Sequence, residues 1–230
     1  MAGEILAVAG VAGAAQPTLS SILAGTREPT KGRVLLDGSD ITGAAASAVR
    51  SGLAYIPDER AAGVVPALSV AGNASLLRLT ERAFRHAGLR RPSAEMRYAA
   101  AICERFDVRP PVPGMRASGL SGGNQQKLLL GRELDRHPAV IIAHSPTQGL
   151  DIAATASIHN ALIQATNRGA AVVVISADLD ELIAIADRIA VLSSGKIVDT
   201  LDLRNAPFDA ARIGRAMAVG QLRESEEQAA

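Results

Sequence analysis

The sequence alternates short, continuous apolar runs with longer stretches of helical spacing, and this alternation is what most constrains the fold. Three runs, Gly3–Gly10, Ala139–Ala143 and Ala171–Ser176, are apolar at nearly every position. A strand that is covered by helices on both faces of its sheet is apolar along its whole length. A strand with one face exposed to solvent instead alternates apolar and polar residues. The sequence therefore predicts an α/β fold built on a mostly parallel sheet.

Turn and capping residues set the bounds of the other predicted elements. Ser121 is a plausible N-cap for a helix that begins near Gly122 and runs to about Arg136, and Asp151 is one for a helix that runs through Asn167. The remaining predicted elements are a helix within Val11–Gly25, strands at Lys31–Gly38 and Leu53–Pro57, and a hairpin of Arg188–Leu192 with Lys196–Asp199.

The character of the chain changes between residues 69 and 108, where amphipathic helical segments are interrupted near Gly88 and Pro92. The proline-rich stretch Pro110–Gly114 then suits a stiff link rather than a helix or a central strand. We therefore expect one domain at residues 1–220, with a core of 1–68 and 115–220, a helical subdomain at about 69–114, and a solvated tail at 221–230.

The composition of the chain excludes several classes of partner and of site. The formal net charge is only +1, the basic residues are scattered, and aromatic residues make up 2%, so a nucleic-acid partner is not expected. Cys103 is the single cysteine, which excludes an internal disulfide and a cysteine zinc site and fits a reducing compartment. The apolar stretches are too short for a membrane span, so any membrane role is expected to be peripheral.

Two motifs carry a resemblance to a known family. The octapeptide Leu120–Lys127 reads Leu-Ser-Gly-Gly-Asn-Gln-Gln-Lys, and Pro146–Asp151 follows it about twenty residues later. A bare Ser-Gly-Gly would be only a capped loop, but the two motifs together resemble the ABC transporter ATPases, in the form found in sugar and nucleoside importers. Further segments fall in the family's order, at Gly3–Leu6, Ala54–Arg60 and Ala186–Ile189.

The resemblance implies a P-loop NTPase (RecA-like) core of the ABC ATPase type with an inserted helical subdomain. It is strongest to the second of the two ATPase domains that such importers usually carry in one polypeptide. By this resemblance, the chain starts later than the family domain does, and the family's leading strands, with the aromatic residue that normally stacks on adenine, are expected to be absent. The expected ATP-binding residues of the signature are Leu120, Ser121, Gly122, Gly123, Asn124 and Gln125, with Asp151 in the D-loop.

The phosphate loop, residues 10–17, departs from the family pattern. Such a loop needs Gly-x-x-x-x-Gly-Lys-Ser/Thr, because backbone amides surround the phosphates, the lysine meets their charge and the hydroxyl reaches Mg²⁺. Here Gln16 takes the lysine position, and Pro17, which has no amide hydrogen, takes the hydroxyl position. The altered loop comprises Gly10, Gly13, Ala15 at the second glycine position, Gln16, Pro17 and, one residue late, Thr18.

The hydrolytic positions depart from the pattern as well. Where the family places a magnesium-binding aspartate and then a catalytic glutamate, this sequence has His144 and Ser145. The switch histidine position is Ala177, and the Q-loop glutamine position is Asp58. No catalytic residue is therefore expected. His144 could ligate a transition metal, but no partner ligand lies at a nearby spacing, so a structural histidine is favoured and no metal is expected to be held by the chain alone.

These departures leave three interpretations. The first is a non-hydrolysing half of an importer, in which ATP and Mg²⁺ bind at a site shared head to tail with a competent ATPase domain. Its other expected partners are transmembrane permease subunits and, indirectly, an extracytoplasmic solute-binding protein, with the chain lying in the cytoplasm on the inner face of the membrane. The second is a truncated non-functional or regulatory remnant. The third is a divergent but active ATPase that uses Thr18 or His144 in unusual roles.

Overall fold

The computed structural model describes residues 1–11, 13, 15–205, 209 and 211–217, with only the backbone at residues 60 and 61. The strands are β1 Ile5–Gly10, β2 Leu35–Leu36, β3 Ser39–Asp40, β4 Leu53–Ile56, β5 Arg85–His86, β6 Leu89–Arg90, β7 Val140–His144, β8 Ala171–Ser176, β9 Arg188–Ser193 and β10 Lys196–Asp202. The α-helices are α1 Ala15–Leu23, α2 Ala45–Arg50, α3 Arg60–Gly63, α4 Val70–Ser75, α5 Pro92–Arg105, α6 Gly122–Leu134, α7 Ile152–Asn167 and α8 Leu179–Ile185. Short 3-10 turns lie at Leu76–Arg78, Arg82–Phe84 and Ala117–Gly119, and residues 211–217 are helical.

The main sheet has six strands in the order β10-β9-β1-β8-β7-β4. β1 pairs in parallel with both β8 and β9, and β7 pairs in parallel with β8, while β10 is antiparallel to β9. The predicted mostly parallel α/β fold is confirmed. Most positions of β1, β7, β8 and β9 are buried, as expected for strands of continuous apolar composition.

Two compact units divide the chain. The first comprises Met1–Tyr55, Ala139–Ser145 and the described residues from Leu162 onward, and it contains most of the sheet. One of its buried clusters gathers Val8, Ile175 and Leu192 from β1, β8 and β9. In this unit α1 lies against β7 and β8, with Ser20 of α1 beside His144 at the end of β7.

The second unit comprises Ile56–Pro138 and Pro146–Ala161. Its core lies between α4, α5 and α6 and includes Val70, Ile102 and Leu128, all nearly inaccessible to solvent. The expected helical subdomain at 69–114 lies within this unit. That segment is not wholly helical, because β5 and β6 form a short antiparallel hairpin around Gly88, whose φ is 81°. Within the described residues, no helix is long and apolar enough to cross a membrane.

Two hairpins test the local sequence predictions. The strand predicted within Lys31–Gly38 is present but shorter: β2 covers only Leu35–Leu36, and Asp37 and Gly38, with φ of 47° and 77°, turn the chain back into β3. Asp-Gly is a favoured pair for such a two-residue turn. The predicted hairpin of β9 and β10 is confirmed, with Ser194 and Gly195 in its turn. The predicted tail at 221–230 lies outside the described residues.

Candidate functional site

The phosphate loop begins where β1 ends at Gly10, and it passes into α1 at Ala15. The Gln16 side chain is 4% exposed and donates from Nε2 to the Gly10 carbonyl oxygen at 2.9 Å. A Cβ on Gly10 would lie 3.1 Å from Gln16 Nε2 and 2.9 Å from the Leu192 carbonyl oxygen. Glycine is therefore required at position 10 for the Gln16 side chain to close against the backbone. Gly13 is exposed, and residues 12 and 14 lie outside the described part of the chain.

Thr18 and Pro17 of this loop also form hydrogen bonds with residues nearby in the sequence. Thr18 Oγ1 accepts a hydrogen bond from Arg27 Nη1 at 3.1 Å. The Pro17 carbonyl oxygen accepts one from Ser20 Oγ at 3.0 Å, which closes the first turn of α1. The Thr18 hydroxyl thus faces an exposed arginine one turn beyond α1.

The end of β7 carries a buried polar network that sequence analysis missed. His144 is 3% exposed, and its Nδ1 lies 3.3 Å from Ser20 Oγ, which in turn lies 3.2 Å from the Tyr55 hydroxyl. The only sequence signal for this network is that Ser20 interrupts the buried face of α1. Among the described residues, no group of three or more histidine, cysteine or carboxylate side chains is arranged to hold a metal ion. The network supports a structural role for His144.

Two other positions expected to carry hydrolytic groups, Ser145 and Ala177, have no carboxyl group. Ser145 has a φ of 43°, and its amide donates to the Ile175 carbonyl oxygen at 2.8 Å, which fixes the chain as it leaves β7. Ala177 is exposed in the turn between β8 and α8. In the second unit, Asp58 lies just after β4, where its Oδ1 accepts from the Glu59 amide at 2.9 Å.

The signature loop, Leu120–Gly123, leads directly into α6. Ser121 is exposed and caps that thirteen-residue helix, since its Oγ accepts from the Asn124 amide and, at 2.8 Å, from Asn124 Nδ2. The N-cap predicted from sequence is confirmed. The amides of Gly122 and Gly123 stand at the positive end of the α6 dipole, in a partly exposed position.

Side chains of α6 form hydrogen bonds that fix the signature loop. Gln125 Nε2 donates to the carbonyl oxygens of Ala117 and Leu120 at 3.1 and 3.2 Å. Asn124 adds a further contact, because its Oδ1 accepts a hydrogen bond from the Arg109 amide at 2.6 Å. These contacts give Gln125 and Asn124 a role in orienting the signature loop.

Lys127 fixes the same helix to the turn after α5. Its Nζ lies 3.0 Å from Asp107 Oδ2 and 3.2 Å from the Asp107 carbonyl oxygen. Hydrogen bonds from Arg109 and Lys127 hold the pKa of the Asp107 carboxyl below its usual range. The contacts of Asp107 and Arg109 were not predicted from the sequence, because nothing in the turn before the proline-rich link indicates which residues it contacts.

The D-loop segment lies beside the signature loop within the same unit. Gln126 Nε2 is buried and donates to the Pro146 carbonyl oxygen at 3.0 Å. A Cβ on Gly123 would lie 3.3 Å from Leu150 Cδ2, so the two segments are in close contact. Asp151 Oδ1 accepts from the Ala154 amide at 2.8 Å and caps α7, as predicted.

The comparisons with known proteins decide the family. The ABC transporter family model matches residues 1–148, more than half of the chain. The chain belongs to the ABC transporter ATP-binding family. One ABC relative, the glucose import ATP-binding protein of Haloferax volcanii, is 38% identical over 95% of this chain and 40% of its own length. Another, the nucleoside import ATP-binding protein of Lactococcus lactis, is 38% identical over 85% of this chain and 39% of its own length.

Solved ABC structures show the same fold. A dimeric ATP-binding cassette in a post-hydrolysis state with ADP and Pi aligns with a TM-score of 0.74 at 23% identity, covering 88% of this chain and 86% of that one. The sheet described above is therefore the core of an ABC ATPase cassette. The chain spans about two fifths of the length of the two import proteins, so it corresponds to one part of those longer ABC polypeptides.

Proposed function

We propose that this ABC domain is a nucleotide-binding half of a sugar or nucleoside importer that gives its signature loop to ATP held by a competent partner domain. We also propose that it does not hydrolyse ATP at its own phosphate loop. The observation that carries the proposal is the contrast between the two loops. The signature loop is capped and anchored and has Ser121 exposed, whereas the Gln16 side chain closes the phosphate loop onto its own backbone.

The groups at the phosphate loop do not suit ATP with Mg²⁺, which ABC ATPases normally bind together. A lysine there would supply a charge-assisted hydrogen bond worth about 1.5–3 kcal/mol, or about one to two orders of magnitude in affinity. Gln16 supplies no charge. Mg²⁺ is usually bound through one or two carboxylates together with phosphate and water oxygens. Pro17, His144 and Ser145 stand at the corresponding positions and supply no carboxylate, and the His144 ring lies beside Ser20.

The signature loop needs none of those groups to act. Backbone amides at a helix N-terminus, aligned with the helix dipole, attract a phosphate group. In the proposed dimer, the amides of Gly122 and Gly123 and the Ser121 hydroxyl meet the γ-phosphate of ATP bound to the partner domain. The bonds of Gln125 and Asn124 keep this loop in position before the partner arrives.

The wider assignment rests on the relatives' names. The similar proteins import glucose and nucleosides, and their polypeptides are more than twice as long as this chain. By analogy, we place the chain in the cytoplasm at the inner face of the membrane, where it contacts permease subunits directly and a solute-binding protein only through them. Asp151 is assigned to the dimer interface in addition to its capping role.

The test is ATP binding and turnover with Mg²⁺, for this chain alone and for a mixture with a first-half domain that has the phosphate-loop lysine. The proposal predicts no turnover and no micromolar binding by the chain alone, with turnover by the mixture above that of the first-half domain alone. Turnover by the chain alone would establish a divergent ATPase. A mixture no more active than the first half alone would indicate a remnant.

A further inference from the structure

The second unit contains a cavity that is separate from the phosphate and signature loops. Its volume is about 380 Å³, and it lies between the 3-10 turns at Leu76–Arg78 and Arg82–Phe84 and the first two turns of α5. Phe84 and Tyr98 form its apolar floor, Ala94 forms one wall, and Arg91 and Arg97 stand at its rim. A cavity of this size lies in the range that holds small organic ligands.

The floor of this cavity is rigid. The Phe84 and Tyr98 rings meet edge to face, with centroids 5.2 Å apart. The Arg78 guanidinium lies 5.1 Å from the Tyr98 ring centroid and is paired with both Glu81 and Asp135, so its charge is already balanced. Burial raises the pKa of Tyr98 to about 12, and its hydroxyl donates to Asp135 Oδ2 at 2.9 Å.

The rim carries positive charge that is not balanced. Within the part of the chain that the structure describes, neither the Arg91 nor the Arg97 side chain forms an ion pair or hydrogen bond. The adjacent Arg90 differs, because it binds Glu95. Residues 78–97 hold six arginines against two glutamates, so this segment has a local excess of positive charge.

We propose that this cavity binds a small organic dianion with a flat apolar body, such as an aromatic dicarboxylate. Guanidinium groups bind carboxylates in a planar, bidentate manner, and Arg91 and Arg97 are free to do so. Both line the cavity, Arg91 just before the first residue of α5 and Arg97 within that helix, so they suit two anionic groups held apart by a rigid spacer. The small Ala94 side chain leaves room for that spacer over Tyr98.

The experiment is a calorimetric titration of the whole chain with benzene-1,4-dicarboxylate near neutral pH and at low salt. The double variant Arg91→Gln, Arg97→Gln is expected to bind at least about tenfold more weakly. The matched control is Arg82→Gln, Arg85→Gln, which removes the same charge from exposed positions of the same segment outside the cavity wall. The control is expected to bind within about twofold of the unmodified chain.

A second variant separates shape from charge. Ala94→Leu fills the cavity without changing any charge, and leucine is a good helix former, so α5 is expected to remain folded. Its binding of the dicarboxylate is expected to be lost, and the neutral diamide of the same ring is expected not to bind the unmodified chain. ATP and the signature loop play no part in this site, so the result is independent of the proposed function.

Three results would overturn the proposal. One is no measurable binding of the dicarboxylate at about 10 mM, which is weaker than any specific site of this kind. Another is an equal loss in the two double variants, since that would reflect general attraction to a basic segment. The third is unchanged binding by Ala94→Leu, which would place the ligand outside the cavity.

Discussion

Gln16 donates a hydrogen bond from its side-chain amide to the carbonyl oxygen of Gly10 at 2.9 Å, inside the turn that joins β1 to α1. The close approach leaves no room for a side chain at position 10. In the proposed function, this bond stands where a lysine would otherwise meet a phosphate group. The loop is thus occupied by its own side chain.

Replacing Gln16→Lys is expected to raise the ATP affinity of the chain by about one to two orders of magnitude without producing turnover. The added charge supports phosphate binding, but Pro17 still supplies no hydroxyl, and positions 144 and 145 still supply no carboxylate. Fluorescent nucleotide titration and phosphate release measure the two effects. Gln16→Glu is the control and should not gain affinity, while turnover by Gln16→Lys alone would contradict the account.

The His144 network is expected to stabilise the fold. His144→Ala should lower the free energy of unfolding by about 1–3 kcal/mol, because it opens a cavity and removes a buried polar partner of Ser20. Urea denaturation measures this change. His86→Ala, at an exposed position in the hairpin, should change stability by less than about 0.5 kcal/mol. Equal effects of the two substitutions would argue against a structural role for His144.

The contribution of Asp107 to stability is expected to depend on pH. Its pKa is lowered by Arg109 and Lys127, so the charged carboxyl stabilises the folded state. That contribution is complete above the unfolded pKa of about 3.9 and disappears as the pH falls through the lower folded value. Asp107→Asn should therefore be less stable than the unmodified chain at neutral pH, and the difference should shrink below about pH 4. A difference that grows on acidification would contradict this prediction.

Gly131 is expected to tolerate no side chain. A Cβ there would lie 2.7 Å from Ile102 Cγ2 and 2.9 Å from Phe106 Cδ2, where α6 packs against the end of α5. Gly131→Ala should lower the free energy of unfolding by about 1–3 kcal/mol, although alanine favours helices. Gly114→Ala is the control, since its nearest neighbour would be Met96 Cε at 3.5 Å. Thermal melting measures the stability of both variants. A Gly131→Ala variant more stable than the unmodified chain would show that the neighbouring side chains move to make room for the added methyl group.

The parts of the fold that sequence predicts are those with a local cause. The parallel strands follow from continuous apolar runs, and the caps Ser121 and Asp151 follow from residue type and position. The strand predicted within Lys31–Gly38 forms as β2 and stops at Leu36, because Asp37 and Gly38 form a turn there. Each of these features is decided by residues that lie within a few positions of one another in the sequence.

The parts that sequence does not predict depend on distant pairs. Ser20 and His144 are 124 residues apart, and only the packing of α1 against β7 brings them together. The Asp107 contact with Lys127 likewise joins two elements. The unbalanced charge of Arg91 and Arg97 was hidden by a net charge of +1, because the acids that balance the chain lie elsewhere.

The most direct test of the central claim is the substitution Ser121→Asp in the mixture with a competent first-half domain. Aspartate is as good an N-cap as serine, so α6 should stay folded, but its charge would face the partner's γ-phosphate. We predict that turnover by the mixture falls by about tenfold or more, while the melting temperature of the chain is unchanged. Turnover equal to that of the unmodified mixture would show that the signature loop does not act on the partner's ATP.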